Sequence, residues 1–290
     1  MIRLAVRCRP ERAERILAEL VELAPGGVEE ERGDGYVELA IYGPPGELPE
    51  IPALEAAAGE GLVEIATTEV PDDWAERWRD FHRPTSIAGG RITVRPSWHE
   101  PRRPPPGTRA GAEEAAGFDV VIDPGRAFGT GAHPTTALCL EILLELADAG
   151  EARGSLADLG TGSGVLAIGA ARLGWDPVIG VDSEAAALEA ARANAEANGV
   201  ALDLRRANLR REAVPAAGTV VANLTGPVLL EVAERMAEPP RAFVCSGLLE
   251  TEAGRVEEAF GRIGLRVGGR RVSGDWAALC LHRDSDAPEG

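Results

Sequence analysis

From Phe118 onward, short apolar runs alternate with stretches of helical periodicity, and no other property of this chain narrows its fold as much. The runs are FDVVID, SLADL, PVIGVD, ALDLRRA, TVVANL, AFVCSG, LRVGGRRV and WAALCLHR. Helical patterns fill 134–147, 164–173, 184–198, 226–237 and 250–263 between them. Strands that are apolar along their whole length are buried on both faces, so this order predicts a mostly parallel sheet with helices on both sides. The last two runs have no helix between them and predict an antiparallel finish. The expectation for residues 118–290 is an α/β, Rossmann-like domain with a seven-stranded sheet.

The first 70 residues read differently. IRLAVRC alternates polar and apolar as a strand does, and PERAERILAELVEL follows with Ile16, Leu17, Leu20 and Val21 at helical spacing. A short strand near Val28–Glu31, a turn at Gly33-Asp34-Gly35, the strand YVELAIY, a helix over 48–59 broken at Pro52, and the strand LVEIATTEV complete a β-α-β-β-α-β order. That order predicts a small α+β, ferredoxin-like domain over residues 1–70. Residues 71–117 are expected to connect the two domains. Trp74, Trp78 and Phe81 fall on one side of a short helix there and predict a packing face. RITVRPSW (91–98) reads as a strand, and 99–117, rich in Pro, Gly and charge, as an exposed loop.

Two glycine-rich turns compete for a nucleotide: FGTGAHPTT at 128–136 and DLGTGSG at 158–164. In a doubly wound sheet the loop after the first strand approaches the ligand, and an acid at the end of the second strand accepts hydrogen bonds from ribose hydroxyls. Asp182 ends VIGVD, 22 residues beyond Gly160, and FGTG has no acid-ended strand at that distance. The cofactor loop is therefore expected at 158–164, with Gly160 and Gly162 bringing backbone amides to the ligand and Asp158 helping to hold it. The spacing GxGxG, with an aspartate two residues ahead, is similar to the first motif of class I methyltransferases and unlike the GxGxxG of dinucleotide sites. A nicotinamide enzyme and a non-catalytic Rossmann domain are the alternatives at this point. Asn223 stands at the carboxyl tip of VVANL, where its side-chain carbonyl could receive a substrate amine, or where it could cap the next helix. His133 is expected to fix its loop by a hydrogen bond rather than to act as a base. Asn208 is expected to be a loop residue rather than an adenine contact.

The bulk properties set the surroundings. The net charge is −17, and all 30 basic side chains are arginine, with no lysine to modify in the chain itself. Residues 1–70 carry 15 Asp and Glu against 6 Arg. Such acidity disfavours binding to nucleic acid, which requires basic side chains to displace counterions, and suits a basic protein partner. The four cysteines form no CxxC pair and the four histidines are scattered, so neither disulfides nor a metal site is expected. No apolar run is long enough to span a bilayer, and MIRLAVRCRPERAER does not read as a secretory signal, so a cytoplasmic location is expected.

Several stretches together resemble one family, the methyltransferases of ribosomal protein L11: DDWAERWRDFHRP, PSW, DPGRAFGTGAHPTT, DLGTGSGVLAIGAARLG, GVDSE, ANAEANGV, VVANL and GDWAALCLHR. The resemblance covers roughly residues 72–283 and is most specific at DPGRAFGTGAHPTT. It implies S-adenosylmethionine as cofactor, with contacts at Thr136, Gly160, Asp182 and Asn223. It also implies methyl transfer to lysine amines, and in some members to the N-terminal amine, with a small N-terminal domain that recognises ribosomal protein L11. Methylation of another protein, such as an electron-transfer flavoprotein, and a ribosome-associated module without activity are further expectations to weigh. On the resemblance, FGTGAHPTT becomes a lid over the methionine end of the cofactor.

Overall fold

The computed structural model describes residues 2–23, 28–33, 35–43, 62–69, 82–101, 117–123 and 133–283. The expected helices at 48–59 and around Trp74–Phe81, most of the 99–117 loop, and residues 128–132 of the first glycine turn lie outside these. Two compact units divide the chain, one running to His82 and the other beginning at Arg83.

In the first unit, β1 (Ile2–Cys8), α1 (Pro10–Leu23), β2 (Glu29–Gly33), β3 (Tyr36–Gly43) and β4 (Leu62–Glu69) form a four-stranded sheet in the order β2-β3-β1-β4. Every neighbouring pair is antiparallel. β1 and β2 thus run parallel with β3 between them, the split arrangement expected from the sequence. Period-two alternation puts Leu4, Val6, Cys8, Val37, Leu39 and Ile41 on one face, where Ala13, Ile16, Leu17 and Leu20 of α1 bury them. On the other face Glu38, only 6% exposed, accepts hydrogen bonds from Arg3 at 2.6 Å and Arg7 at 2.5 Å. Burial pushes the Glu38 carboxyl up, but the two guanidinium groups outweigh it and hold it below the ordinary range.

The second unit is built on seven strands: β8 (Leu156–Leu159), β9 (Val178–Asp182), β10 (Asp203–Arg206), β11 (Thr219–Asn223), β12 (Ala242–Leu249), β13 (Leu265–Ser273) and β14 (Trp276–Arg283). Their order is β10-β9-β8-β11-β12-β14-β13. Strands β8 to β12 are parallel, and β14 enters antiparallel between β12 and β13. The predicted antiparallel finish is present, joined by a turn at Gly274-Asp275 with Ser273 opposite Trp276.

Residues alternate between two cores. Leu156, Val178, Val221 and Val244 pack under α2 (Pro134–Asp148) and α3 (Val165–Leu173). Leu159, Val181, Val220 and Phe243 face the side covered by α5 (Gly226–Arg235) and α6 (Ala253–Gly261). The helix α4 (Ala185–Asn198) follows β9.

One expected member of the large sheet lies elsewhere. FDVV forms β7 (Phe118–Val121), which pairs in parallel with β6 (Ile92–Arg95), itself antiparallel to β5 (Thr85–Ile87). The physical reason is a side-chain clasp. Val121 donates its N–H to Asn198 Oδ1 at 2.8 Å, and Asn198 Nδ2 donates to the Val121 carbonyl at 2.6 Å. One amide from α4 thus satisfies backbone groups that a strand would otherwise pair. Within the small sheet the mostly buried Arg95 donates to Asp119 at 2.5 Å, and Ile87, Ile92, Val94 and Val120 join the same core as α2 and α3.

Candidate functional site

The strand order reverses between β8 and β11, and a doubly wound sheet binds its ligand at that switch point, beyond the carboxyl ends of the strands. The residues singled out by sequence converge there. Gly160 and Thr161 both donate their N–H groups to the Val181 carbonyl, at 2.8 and 2.9 Å, which ties the glycine loop to the end of β9. Gly160 has a φ of +74°, and a Cβ there would lie 2.5 Å from Leu224 Cδ2, so the loop needs glycine for both conformation and space. The loop after β8 and the loop after β11 touch at this point.

Asp158 braces the loop from below. It is 1% exposed, and its Oδ2 accepts from Thr161 Oγ1 at 2.7 Å and from the Ala167 N–H at 3.1 Å. Gly164, the N-cap of α3, has no side chain, and Ala167 is the third residue of that helix; Asp158 therefore caps the helix from the preceding strand. Its second oxygen is buried without a hydrogen-bond partner. Burial pushes its carboxyl up to about 7 against the two hydrogen bonds.

Asp182, at the tip of β9, accepts the Gly162 N–H on Oδ2 and the Glu184 N–H on Oδ1, each at 3.0 Å. A carboxylate offers about four acceptor positions, so hydroxyl donors can still be received. This spare capacity, beside a glycine loop that a Cβ would crowd, fits the ribose and amino-acid ends of S-adenosylmethionine.

At the end of β11, Asn223 Nδ2 donates to Thr136 Oγ1 at 3.3 Å, bringing together two residues that are 87 apart in sequence. Thr136 sits in the first turn of α2. His133 caps that helix: its Nδ1 accepts from the Thr135 N–H at 3.4 Å and lies 2.7 Å from Thr135 Oγ1, and its ring meets Trp276 edge-on at 4.9 Å. His133 thus caps the helix that follows FGTG, while residues 128–132 lie outside those described. Asn208 forms a local turn, its Oδ1 accepting from the Arg210 N–H at 3.0 Å.

Three features escaped the sequence reading. Gly247, with φ +84°, carries β12 so close to β11 that a Cβ would lie 2.6 Å from the Leu224 carbonyl oxygen. Glu252 accepts the Leu249 N–H at 2.9 Å and stands against Gly226 at the start of α5. Asn194 of α4 bonds the glycine loop. The SGLLETE and ANAEANGV stretches held these residues, but their partners are remote in sequence.

A seven-stranded sheet of this order, with a glycine loop after its first strand and an acid ending its second, defines a class I, S-adenosylmethionine-dependent methyltransferase. The model of the family described as ribosomal protein L11 methyltransferase (PrmA) matches residues 50–284. The chain belongs to that family. A relative named ribosomal protein L11 methyltransferase from Geobacter sulfurreducens is 34% identical over 91% of this chain and 92% of its own length. One of the same name from Pelotomaculum thermopropionicum is 39% identical over 80% of this chain and 73% of its own. A third, from Symbiobacterium thermophilum, is 37% identical over 72% of this chain, which spans 65% of that relative's length. The crystal structure of ribosomal protein L11 methylase from Lactobacillus delbrueckii subsp. bulgaricus superposes with a TM-score of 0.59 at 25% identity, covering 70% of this chain and 99% of that one. These matches give no support to an electron-transfer flavoprotein as substrate or to a nicotinamide oxidoreductase. Among the described residues, no helix is long and apolar enough to cross a membrane.

Proposed function

We propose that this chain transfers methyl groups from S-adenosylmethionine to amines of ribosomal protein L11, on lysine side chains and at the N-terminus, in the cytoplasm. The observation that carries the reading is the Asn223–Thr136 bond at the switch point, beside the Gly160 loop and the Asp182 carboxylate. When bound, the cofactor supplies an electrophilic sulfonium methyl group. Gly160 and Gly162 present backbone to its amino-acid end, Asp182 accepts from the ribose hydroxyls, Thr136 contacts it from α2, and Asp158 keeps the loop in shape. The Asn223 amide nitrogen is engaged with Thr136, which leaves its carbonyl oxygen to accept an N–H of the incoming amine and aim its lone pair.

A lysine amine has a pKa near ~10.4, so presenting it neutral at pH 7 requires roughly 4–5 kcal/mol. Loss of solvation on entry disfavours the ammonium and so lowers that cost, the proton leaving to water, while orientation by Asn223 and alignment of the reactants lower the barrier to transfer. The acidic residues 1–70 suit recognition of a basic protein, and we assign that unit to substrate recognition, 71–117 to the connection and 118–290 to catalysis. The test is incubation with labelled cofactor and either purified ribosomal protein L11 or a whole lysate, followed by mass spectrometry. Lysine or N-terminal methylation of L11 is expected; label on a different protein, with L11 unmodified, would overturn the assignment.

A further inference from the structure

The buried amide of Asn194 joins two parts of the catalytic unit that the sequence keeps 40 residues apart. Asn194 is 5% exposed and sits on α4. Its Nδ2 donates to the Ser163 carbonyl, within the glycine loop, at 2.8 Å. Its Oδ1 accepts the Asp123 N–H at 3.2 Å. Asp123 follows β7 and leads directly into PGRAFGTGAHPTT, and its own carboxylate receives the Ser97 N–H at 2.7 Å. Each end of the Asn194 amide thus holds one backbone group, and the side chain is rigidly placed by a helix that is itself clasped to β7 through Asn198.

We propose that Asn194 is a positioning residue that couples the cofactor loop to the chain entering FGTGAHPTT, so that occupancy of the loop at 160–164 is felt at Asp123. The inference rests on the reading of 158–164 as the cofactor loop. The bond to the Ser163 carbonyl is buried, so breaking it leaves polar groups without water to replace it, and a displacement at that end is passed through the amide to the Asp123 N–H. A shift of Ser163 on cofactor binding must move Asn194 or break its bond. A shift of Asn194 must likewise move Asp123.

The test uses the full-length protein, S-adenosylhomocysteine as the ligand, and two variants. Asn194→Asp keeps the acceptor for the Asp123 N–H but removes the donor to Ser163. Asp123→Pro removes the N–H, together with the carboxylate that receives the Ser97 N–H, and keeps the bond to Ser163; Asp123→Ala, which removes only the carboxylate, is its control. Hydrogen exchange of peptides covering 118–123 and 158–166 is followed with and without ligand, alongside calorimetric affinity. In the parent, ligand is expected to slow exchange in both peptides. In Asn194→Asp, ligand that is still bound at saturation is expected to protect 158–166 but no longer 118–123, with affinity reduced about tenfold. In the Asp123→Pro variant, affinity is expected to fall by less, and adding Asn194→Asp to it should cost less than Asn194→Asp alone costs the parent.

Retained protection of 118–123 in Asn194→Asp would overturn the coupling, as would additive effects of the two substitutions. If one variant fails to fold, the exchange readout of the other decides alone. Asp182→Ala separates the premises: if it binds ligand like the parent, the cofactor reading itself fails, whereas lost binding there together with unaltered coupling in Asn194→Asp removes only the role of Asn194.

Discussion

Replacing Asp182 by alanine separates the two tasks of this carboxylate. In the protein it accepts the Gly162 and Glu184 N–H groups, each at 3.0 Å. Both donors are close enough to solvent for water to replace the carboxylate, so stability is expected to fall by only about 1 kcal/mol. Ligand binding is another matter. Its remaining acceptor positions are those assigned to the ribose hydroxyls, and a hydrogen bond to a charged group contributes about 1.5–3 kcal/mol. At about 1.4 kcal/mol for each factor of ten, losing one such bond weakens cofactor binding by about 10- to 100-fold, and losing two by more. Asp182→Asn keeps one good acceptor but turns a donor toward either Gly162 or the ligand, and should fall between the parent and the alanine variant. Isothermal titration calorimetry with S-adenosylhomocysteine gives the dissociation constants, and thermal melting confirms the fold. A folded Asp182→Ala variant with parental affinity would refute the placement of the ribose, and with it the choice of DLGTGSG over FGTGAHPTT as the cofactor loop.

Asn223→Ala should lower kcat by about tenfold or more while changing cofactor affinity by less than about threefold, because the lost group orients the amine rather than the sulfonium ligand; steady-state kinetics with calorimetry checks the split. Asp158 has its carboxyl pushed up to about 7 by burial, so the folded state binds the proton more tightly than the unfolded state does. Stability should accordingly decline as pH rises from about 4 through 7, whereas Asp158→Asn should remove that slope; urea unfolding at pH 5 and pH 8 is the measurement. Gly247→Ala places a Cβ 2.6 Å from the Leu224 carbonyl oxygen at φ +84°, and the clash with backbone plus left-handed strain should cost about 2–4 kcal/mol by chemical denaturation, with kcat reduced because Asn223 shifts.

Periodicity carried the architecture well because strands buried on both faces are mostly apolar, as LADL, VIGVD and TVVAN are apart from Asp158, Asp182, Thr219 and Asn223. It could not assign FDVV to its sheet. That strand has the same composition as the others, and the residue that settles its place, Asn198, lies 77 positions further along. The glycine loop and Asp182 were legible because their spacing is set by one βαβ unit. The Asn223–Thr136 contact was not, since nothing local in either stretch names the other. Gly247 was silent for the same reason: its need for glycine comes from the backbone of Leu224 on the neighbouring strand. The hydrogen bond of His133 was readable because a helix cap acts within three residues of itself.

The place of β14 in the sheet has a consequence for synthesis. Among the described strands it is the last in sequence, yet it lies between β12 and β13 and pairs with both. Until residues 276–283 have cleared the ribosomal exit tunnel, β12 has an open hydrogen-bonding edge and β13 has no partner strand. Trp276, which supports the cap of α2 through His133, arrives with this same strand. A nascent chain therefore holds its glycine loop and its Asn223 before it can complete the sheet behind them.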